Sequence, residues 1–255
     1  MMKIVILGCS ASAAGCGQYV STYLINGNVA IDAGCLGFYG TPQDQESVRH
    51  VFLTHAHADH IASLALFVEN AWTPSPQCPT IYGIPETLDT VQRWIFNGEV
   101  WPDFVAMSEQ MPPFLRLQAV KPEVPIEAEG LTITPVPVCH SVPTVGYVVQ
   151  EGDRSVIFSA DTTSTERLWE VGRKTPGLKA VFLEASFPNR MKAIADASLH
   201  MTSETFGREL AKVPEGVRVI AVHLKVRYRD EIMRELEAFG APQLEIGECD
   251  REYVF

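Results

Sequence analysis

The chain has 255 residues, 46% hydrophobic and 20% charged, with a formal net charge of −11. That length suits one large α/β domain whose core needs no disulfide staples, and six scattered cysteines without a CxxC pair suit a reduced, cytoplasmic setting. The acidic balance argues against a long nucleic acid as partner, and no apolar run approaches the ~18 residues of a membrane span.

In chain order, the first apolar run predicts a strand over 4–7. A leader peptide is the weaker reading, because the stretch from Ile4 to Gly8 is five residues, short of the ~7–15 of a signal core. Further strands are predicted over 20–25, 29–31, 51–54, 131–136, 145–149, 156–158, 180–183 and 217–222, each bounded by Gly, Pro, Asp or Asn. Gln150-Glu151-Gly152-Asp153-Arg154 joins two of them as a hairpin turn. Helical spacing covers 59–72, 86–96, 165–172, 203–212 and 229–239. Strands precede helices in both halves and no internal repeat is visible, which favours two packed sheets flanked by helices. The Pro- and Trp-rich stretch 72–125 carries no site motif and is expected to form a lid or insertion within a single domain, 1–255.

Six of the seven histidines fall in short motifs, and His50 alone stands outside them. The run Val51-Phe52-Leu53 leads into Thr54-His55-Ala56-His57-Ala58-Asp59-His60, an HxHxDH element. Burying three imidazoles and a carboxylate within six residues is costly unless a metal satisfies them. His55 and His57 alternate and can converge on one ion, while Asp59 and His60 can turn toward a second. His140 would complete the first shell and His223 the second. Asp161 is placed to bridge the two, since a carboxylate spans ions ~3.5–4 Å apart. His200, just before a predicted helix, is assigned to the leaving group as a proton donor. Exchanging His200 and His223 between ligand and donor remains open. Asp32 is expected to brace the metal loop and Cys139 to be a buried neighbour. Arg190 and Lys225 are candidate phosphate contacts. The ligand types imply two divalent ions, zinc first, with manganese or iron also suited to the oxygen-bearing position.

HxHxDH with the later His, Asp and His resembles the metallo-β-lactamase superfamily. That resemblance implies a four-layer αββα sandwich, of α/β or α+β class, with a dinuclear site at one edge of its sheets. Within it, Asp161-Thr162, Leu168-Trp169-Glu170-Val171, the stretch 178–191, Ser198-Leu199-His200-Met201-Thr202 and His223-Leu224-Lys225 are similar to the class II cyclic-nucleotide phosphodiesterases. The likeness spans roughly 15–66 and 139–240. Three positions depart from the family's pattern: Ala58 where leucine is usual, Val226 where proline is usual, and Ala14-Gly15-Cys16-Gly17-Gln18 in place of a Gly-Asn turn. The resemblance implies hydrolysis of 3′,5′-cyclic nucleotides, cAMP or cGMP, to 5′-monophosphates by a hydroxide held between the ions. Asp59 would orient the hydroxide and His200 support the departing 3′ oxygen. A tRNA 3′-processing endonuclease, a thioester or lactone hydrolase, and a non-catalytic metal-bearing scaffold are the rival expectations. The expected partner is a small anionic substrate; a homodimer is compatible with the sequence.

Overall fold

Strand runs such as Val145-Gly146-Tyr147-Val148-Val149 are buried at every position, which requires cover on both faces. A computed structural model, describing residues 1–8, 18–110 and 112–255, supplies that cover as two sheets face to face with helices outside. Cys9, Cys16 and the stretch Ala14-Gly15-Cys16-Gly17 lie outside the described residues.

The first sheet runs in the order β14 (Glu252–Val254), β1 (Lys3–Ile6), β2 (Tyr23–Ile25), β3 (Val29–Ile31), β4 (His50–Phe52), β5 (Thr80–Gly83) and β6 (Arg116–Ala119). The second runs β13 (Leu244–Ile246), β12 (Arg218–Val222), β11 (Leu178–Glu184), β10 (Arg154–Phe158), β9 (Val145–Glu151), β8 (Leu131–Pro137) and β7 (Ile126–Ala128). Pairing is antiparallel from β14 to β3 and parallel from β3 to β6. The second sheet repeats this, antiparallel from β7 to β10 and parallel from β10 to β13. Parallel neighbours need crossovers, and these supply most of the helices. The helices are α1 (Pro42–Glu46), α2 (Ala58–Ile61), α3 (Leu64–Asn70), α4 (Pro85–Trp94), α5 (Phe104–Met107), α6 (Arg167–Lys174), α7 (Lys192–Ser198), α8 (Ser203–Leu210) and α9 (Arg229–Glu237).

Alternation along each strand divides the apolar side chains among three layers. Phe52, Tyr82, Tyr147, Phe158 and Phe182 meet between the sheets. Their neighbours Val51 and Ile81 turn outward onto Leu64, Phe67 and Val91 of α3 and α4. Ile157, Val181 and Val219 turn the other way onto Trp169, Phe206 and Ile232 of α6, α8 and α9. The order of layers is therefore helix, sheet, sheet, helix.

Three local differences from the sequence expectation have physical causes. The predicted helix 59–72 is broken at Ser63, whose hydroxyl donates to Ala33 O and accepts from Gly37 N. The predicted strand 20–25 begins only at Tyr23: Ser21 N turns away to donate to Asp59 O, and the Thr22 hydroxyl accepts from Cys35 N. Residues 72–125, expected as a lid or insertion, hold β5 and β6, which complete the first sheet, and α4, which packs on β5.

Phe182 sits midway between the sheets, its ring 5.0 Å from Phe158, 5.6 Å from Tyr23 and 5.6 Å from Tyr253. Phe182→Ala should cost ~3–5 kcal/mol in urea unfolding at fixed metal concentration. A loss below ~1 kcal/mol would contradict this placement.

Candidate metal centre

The first half of the site hangs on Asp32, at the C-terminal end of β3. Its backbone is left-handed (φ 61°), a conformation an L-residue adopts at a cost. The turned carboxylate, fully buried, accepts from Thr54 N at 2.8 Å, Thr54 Oγ1 at 2.8 Å and His60 Nδ1 at 2.7 Å. A hydroxyl has one proton, and that of Thr54 goes to Asp32. Thr54 Oγ1 must therefore accept from His55 Nδ1, 2.9 Å away. Both rings are thus fixed as Nδ1–H tautomers with Nε2 facing inward. Ala33 N donates to His60 O and Ser21 N to Asp59 O, which stitches the HxHxDH loop to this brace. Gly34 is required for that approach: a Cβ there would lie 2.3 Å from Asp59 O.

The second half hangs on Glu184, at the end of β11. Its buried carboxylate accepts from Thr162 N at 2.8 Å, His200 Nδ1 at 2.8 Å, Ser186 Oγ at 2.6 Å, and the Ser186 and Met201 amides at 3.2 Å. Ser186 spends its one proton on Glu184, so its oxygen accepts from His223 Nδ1 at 3.0 Å. His223 is again the Nδ1–H tautomer with Nε2 inward. His140 donates Nδ1–H to Leu199 O at 3.2 Å. The residues that turn these loops, Ala160 before Asp161, Leu199 before His200, and His223 itself, are left-handed with φ of 55°, 55° and 59°.

The two halves converge on Asp161. Its Oδ2 is 3.3 Å from His60 Nε2, 3.8 Å from His55 Nε2 and 3.9 Å from His140 Nε2, and its Oδ1 is 3.5 Å from His223 Nε2. The donor atoms of His55, His57, His140 and Asp161 all lie within 4.8 Å of one another, and so do those of Asp59, His60, Asp161 and His223. Clustered in this way, with Asp161 common to both groups, they have the arrangement of a dinuclear metal site. His55 Nε2 and His60 Nε2 are buried without a hydrogen-bond partner. His140 Nε2 and His57 Nδ1 face each other at 3.1 Å. Bare nitrogens aimed at one point in a dry site are costly alone and favourable around a cation, so the donor set fits metal.

Charge points the same way. Burial raises the Asp161 carboxyl, but His223, His60 and His55 outweigh it and hold it well below its ordinary range. Burial lowers His60, yet Asp161 and Asp32 on either side raise it well above the usual imidazole value. Burial by itself lowers His55, and His60 beside it adds to that. Asp59 is opposed by burial but kept ionised by His223 at 3.2 Å, by His60, and by Lys225 Nζ at 3.4 Å.

The remaining candidates fall as follows. His200 Nε2 lies 3.9 Å from Asp161 Oδ2 and groups with Glu184 and His223 rather than with the two larger sets. Lys225 borders the Asp59 side. Arg190 is turned onto Glu231, 2.8 Å away, and over the Tyr228 ring. Cys139, expected to be buried, is exposed, because the β8–β9 connection carries it outward as it brings His140 in. His50 bonds to Tyr82 and pairs with Glu129 at the far end of β4. Glu184 and Ser186 had no role in the sequence reading. The available signal was an acid ending the otherwise apolar run 180–183, followed by a hydroxyl two residues on.

A family model described as a β-lactamase superfamily domain matches residues 28–224. A probable 3′,5′-cyclic-nucleotide phosphodiesterase of Yersinia pestis is 26% identical over 211 residues, 72% of this chain and 59% of that protein's length. A ribonuclease Z of Mycobacterium sp. (strain KMS) is 32% identical over 125 residues, 44% of this chain and 42% of that protein. The solved structure of unliganded yeast PDE1 superposes with a TM-score of 0.78 over 97% of both chains, at 19% identity.

Asp32 acts behind two of the histidines, so Asp32→Ala should lower affinity for the metal at least ~10–100-fold, measured by competition with a chromogenic chelator. Unaltered affinity would remove Asp32 from this role. Asp161 and Asp32 raise His60 above its ordinary value, so below that raised value its inward Nε2 takes up a proton that metal binding must displace. Affinity should therefore rise with pH, by up to tenfold per unit, until pH passes the His60 value. Calorimetry in buffers of different ionisation heat counts the proton released, and zero release would contradict the assignment.

Proposed function

This chain belongs to the β-lactamase superfamily, and from that premise we propose that it is a metal-dependent phosphodiesterase opening 3′,5′-cyclic nucleotides to 5′-monophosphates. The observation carrying the reading is the Asp161 carboxylate common to two donor sets, with a carboxylate-anchored histidine that neither set needs. The Yersinia relative and the likeness to yeast PDE1 support the choice of substrate.

In this reading His55, His57, His140 and Asp161 hold one cation, and Asp59, His60, His223 and Asp161 the other. Zinc suits the nitrogen-rich donors, while manganese or iron also suits the carboxylate side. Two such cations supply Lewis-acid stabilisation of phosphoryl oxygens and ease the ionisation of water. Asp59 accepts a hydrogen bond from the attacking water and fixes its approach to phosphorus. Lys225, neighbour to Asp59, places its ammonium against the phosphoryl oxygens. Opposite the forming P–O bond, the P–O3′ bond breaks and His200 gives its Nε2 proton to the 3′ oxygen. Burial disfavours a charged His200, but Glu184 at 2.8 Å and Asp161 outweigh it and raise its pKa, which suits a donor. Arg190, occupied by Glu231, leaves the phosphate role to Lys225. The ribonuclease Z relative covers under half of this chain, and the net charge of −11 disfavours a polyanionic RNA substrate.

Metal-loaded protein incubated with 3′,5′-cyclic AMP, 2′,3′-cyclic AMP and bis(p-nitrophenyl) phosphate should release 5′-AMP from the first, with kcat/KM of ~10⁴ M⁻¹s⁻¹ or above. Turnover of the generic diester alone would reject the cyclic-nucleotide assignment. His200→Ala should retain both metals and lower kcat ~10²–10⁴-fold. Loss of a metal ion in that variant would make His200 a ligand instead.

A further inference from the structure

Helix α4 carries Glu86, Thr90 and Trp94 at intervals of four, so the three side chains form one stripe. Near its N-terminus, Glu86 and Thr90 share a cleft of about 150 Å³ with Ala56 and His57. Ala56 and Thr90 also line a larger cavity of about 570 Å³, floored by Ala58, Ala62 and Ala65 and walled by Trp94, Ile95 and Trp101. The shared residues make these one trough, beginning at His57 of the metal centre and ending between two indoles. Among the described residues, no Lys, Arg, His, Asp or Glu lines the larger cavity. At its border Trp94 is 64% exposed and Val100 65% exposed, large apolar surfaces left in water.

The larger cavity, uncharged and apolar, rejects a second phosphate or a nucleic-acid backbone and accepts a flat, neutral group. We propose that it seats the nucleobase of the substrate, with Trp94 as the stacking surface and the alanines of α2 and α3 as the floor. This rests on the phosphodiesterase reading and names the part of the substrate that reading leaves open. A base is neutral near pH 7, and its π face stacks on an aromatic ring whatever its edge pattern. Thr90 is the one lining side chain with a hydroxyl, and the indole N–H groups are the other polar atoms. Recognition is therefore by face and contact area: adenine and guanine are accepted alike, and both are preferred to the smaller pyrimidines. One wall of the trough comes from α4 and the loop after it, within the stretch 72–125 whose strands complete the first sheet.

The test has two arms, one independent of catalysis. In the first, kcat and KM for cyclic AMP, cyclic GMP and cyclic CMP are measured for the wild type, Trp94→Ala and Ala62→Leu. Both altered side chains are exposed, so the variants should fold. KM for both purines should rise together ~5–150-fold in Trp94→Ala, a lost stacking contact of ~1–3 kcal/mol at 1.4 kcal/mol per tenfold, with little change in kcat. In the second, saturation-transfer NMR follows adenosine, which has no phosphate, over the metal-free proteins. Transfer to the adenine protons should appear with the wild type and fade in both variants. Wild-type turnover of cyclic AMP with KM and transfer unmoved by either variant overturns the trough and leaves the phosphodiesterase reading standing. Adenosine binding lost in the variants without cyclic-nucleotide turnover upholds the trough and overturns that reading. Cleavage of an acyl thioester whose KM rises in the variants would assign the trough to an acyl chain and overturn the proposal.

Discussion

A hydroxyl group has a single proton to give, and the geometry of this site follows from where two of those protons go. Thr54 gives its proton to Asp32 and Ser186 gives its proton to Glu184. Each oxygen is then left as an acceptor that fixes one histidine through Nδ1, while the carboxylate fixes a second. Four rings thus present Nε2 to one small volume. Orientation from behind is what converts flexible imidazoles into a site of defined shape. Both hubs are buried and fully engaged, so the low dielectric around them strengthens the bonds they make.

The fold places one hub on each sheet. Asp32 and the HxHxDH loop leave β3 and β4, while Asp161, Glu184 and His223 leave β10, β11 and β12, all at C-terminal ends of parallel strands. Such ends are where chains must turn into crossovers and where side chains can be aimed across a gap. Face-to-face packing of the sheets brings these ends together at one edge. The left-handed residues Asp32, Ala160, Leu199 and His223 are the local cost, of order 1–3 kcal/mol each, and the surrounding hydrogen bonds hold them there.

The HxHxDH element was legible because spacing alone makes its chemistry costly to bury otherwise. His140, Asp161 and His223 were legible as chemistry-bearing residues at strand ends. The layered architecture followed from strand runs apolar at every position, and the resemblance to the metallo-β-lactamase superfamily named it. What was hidden depends on tertiary contact. Glu184 and Ser186 matter because of what Thr162, His200, Met201 and His223 do around them, and no local pattern encodes that. Strands β5 and β6 were missed because short runs between prolines carry little period-two signal, and they gain stability only by pairing beside β4. The break at Ser63 likewise reflects a hydrogen bond to Ala33, thirty positions earlier. Arg190 was legible only as a basic residue in a suggestive motif, while its pairing with Glu231 was concealed by sequence separation.

Two donor sets that share Asp161 would hold two cations in one chain, and native mass spectrometry of the zinc-loaded protein counts them. Two ions per chain are expected in the wild type, and both should be lost when Asp161 becomes alanine. A single ion in the wild type, or two retained without the Asp161 carboxylate, would contradict it.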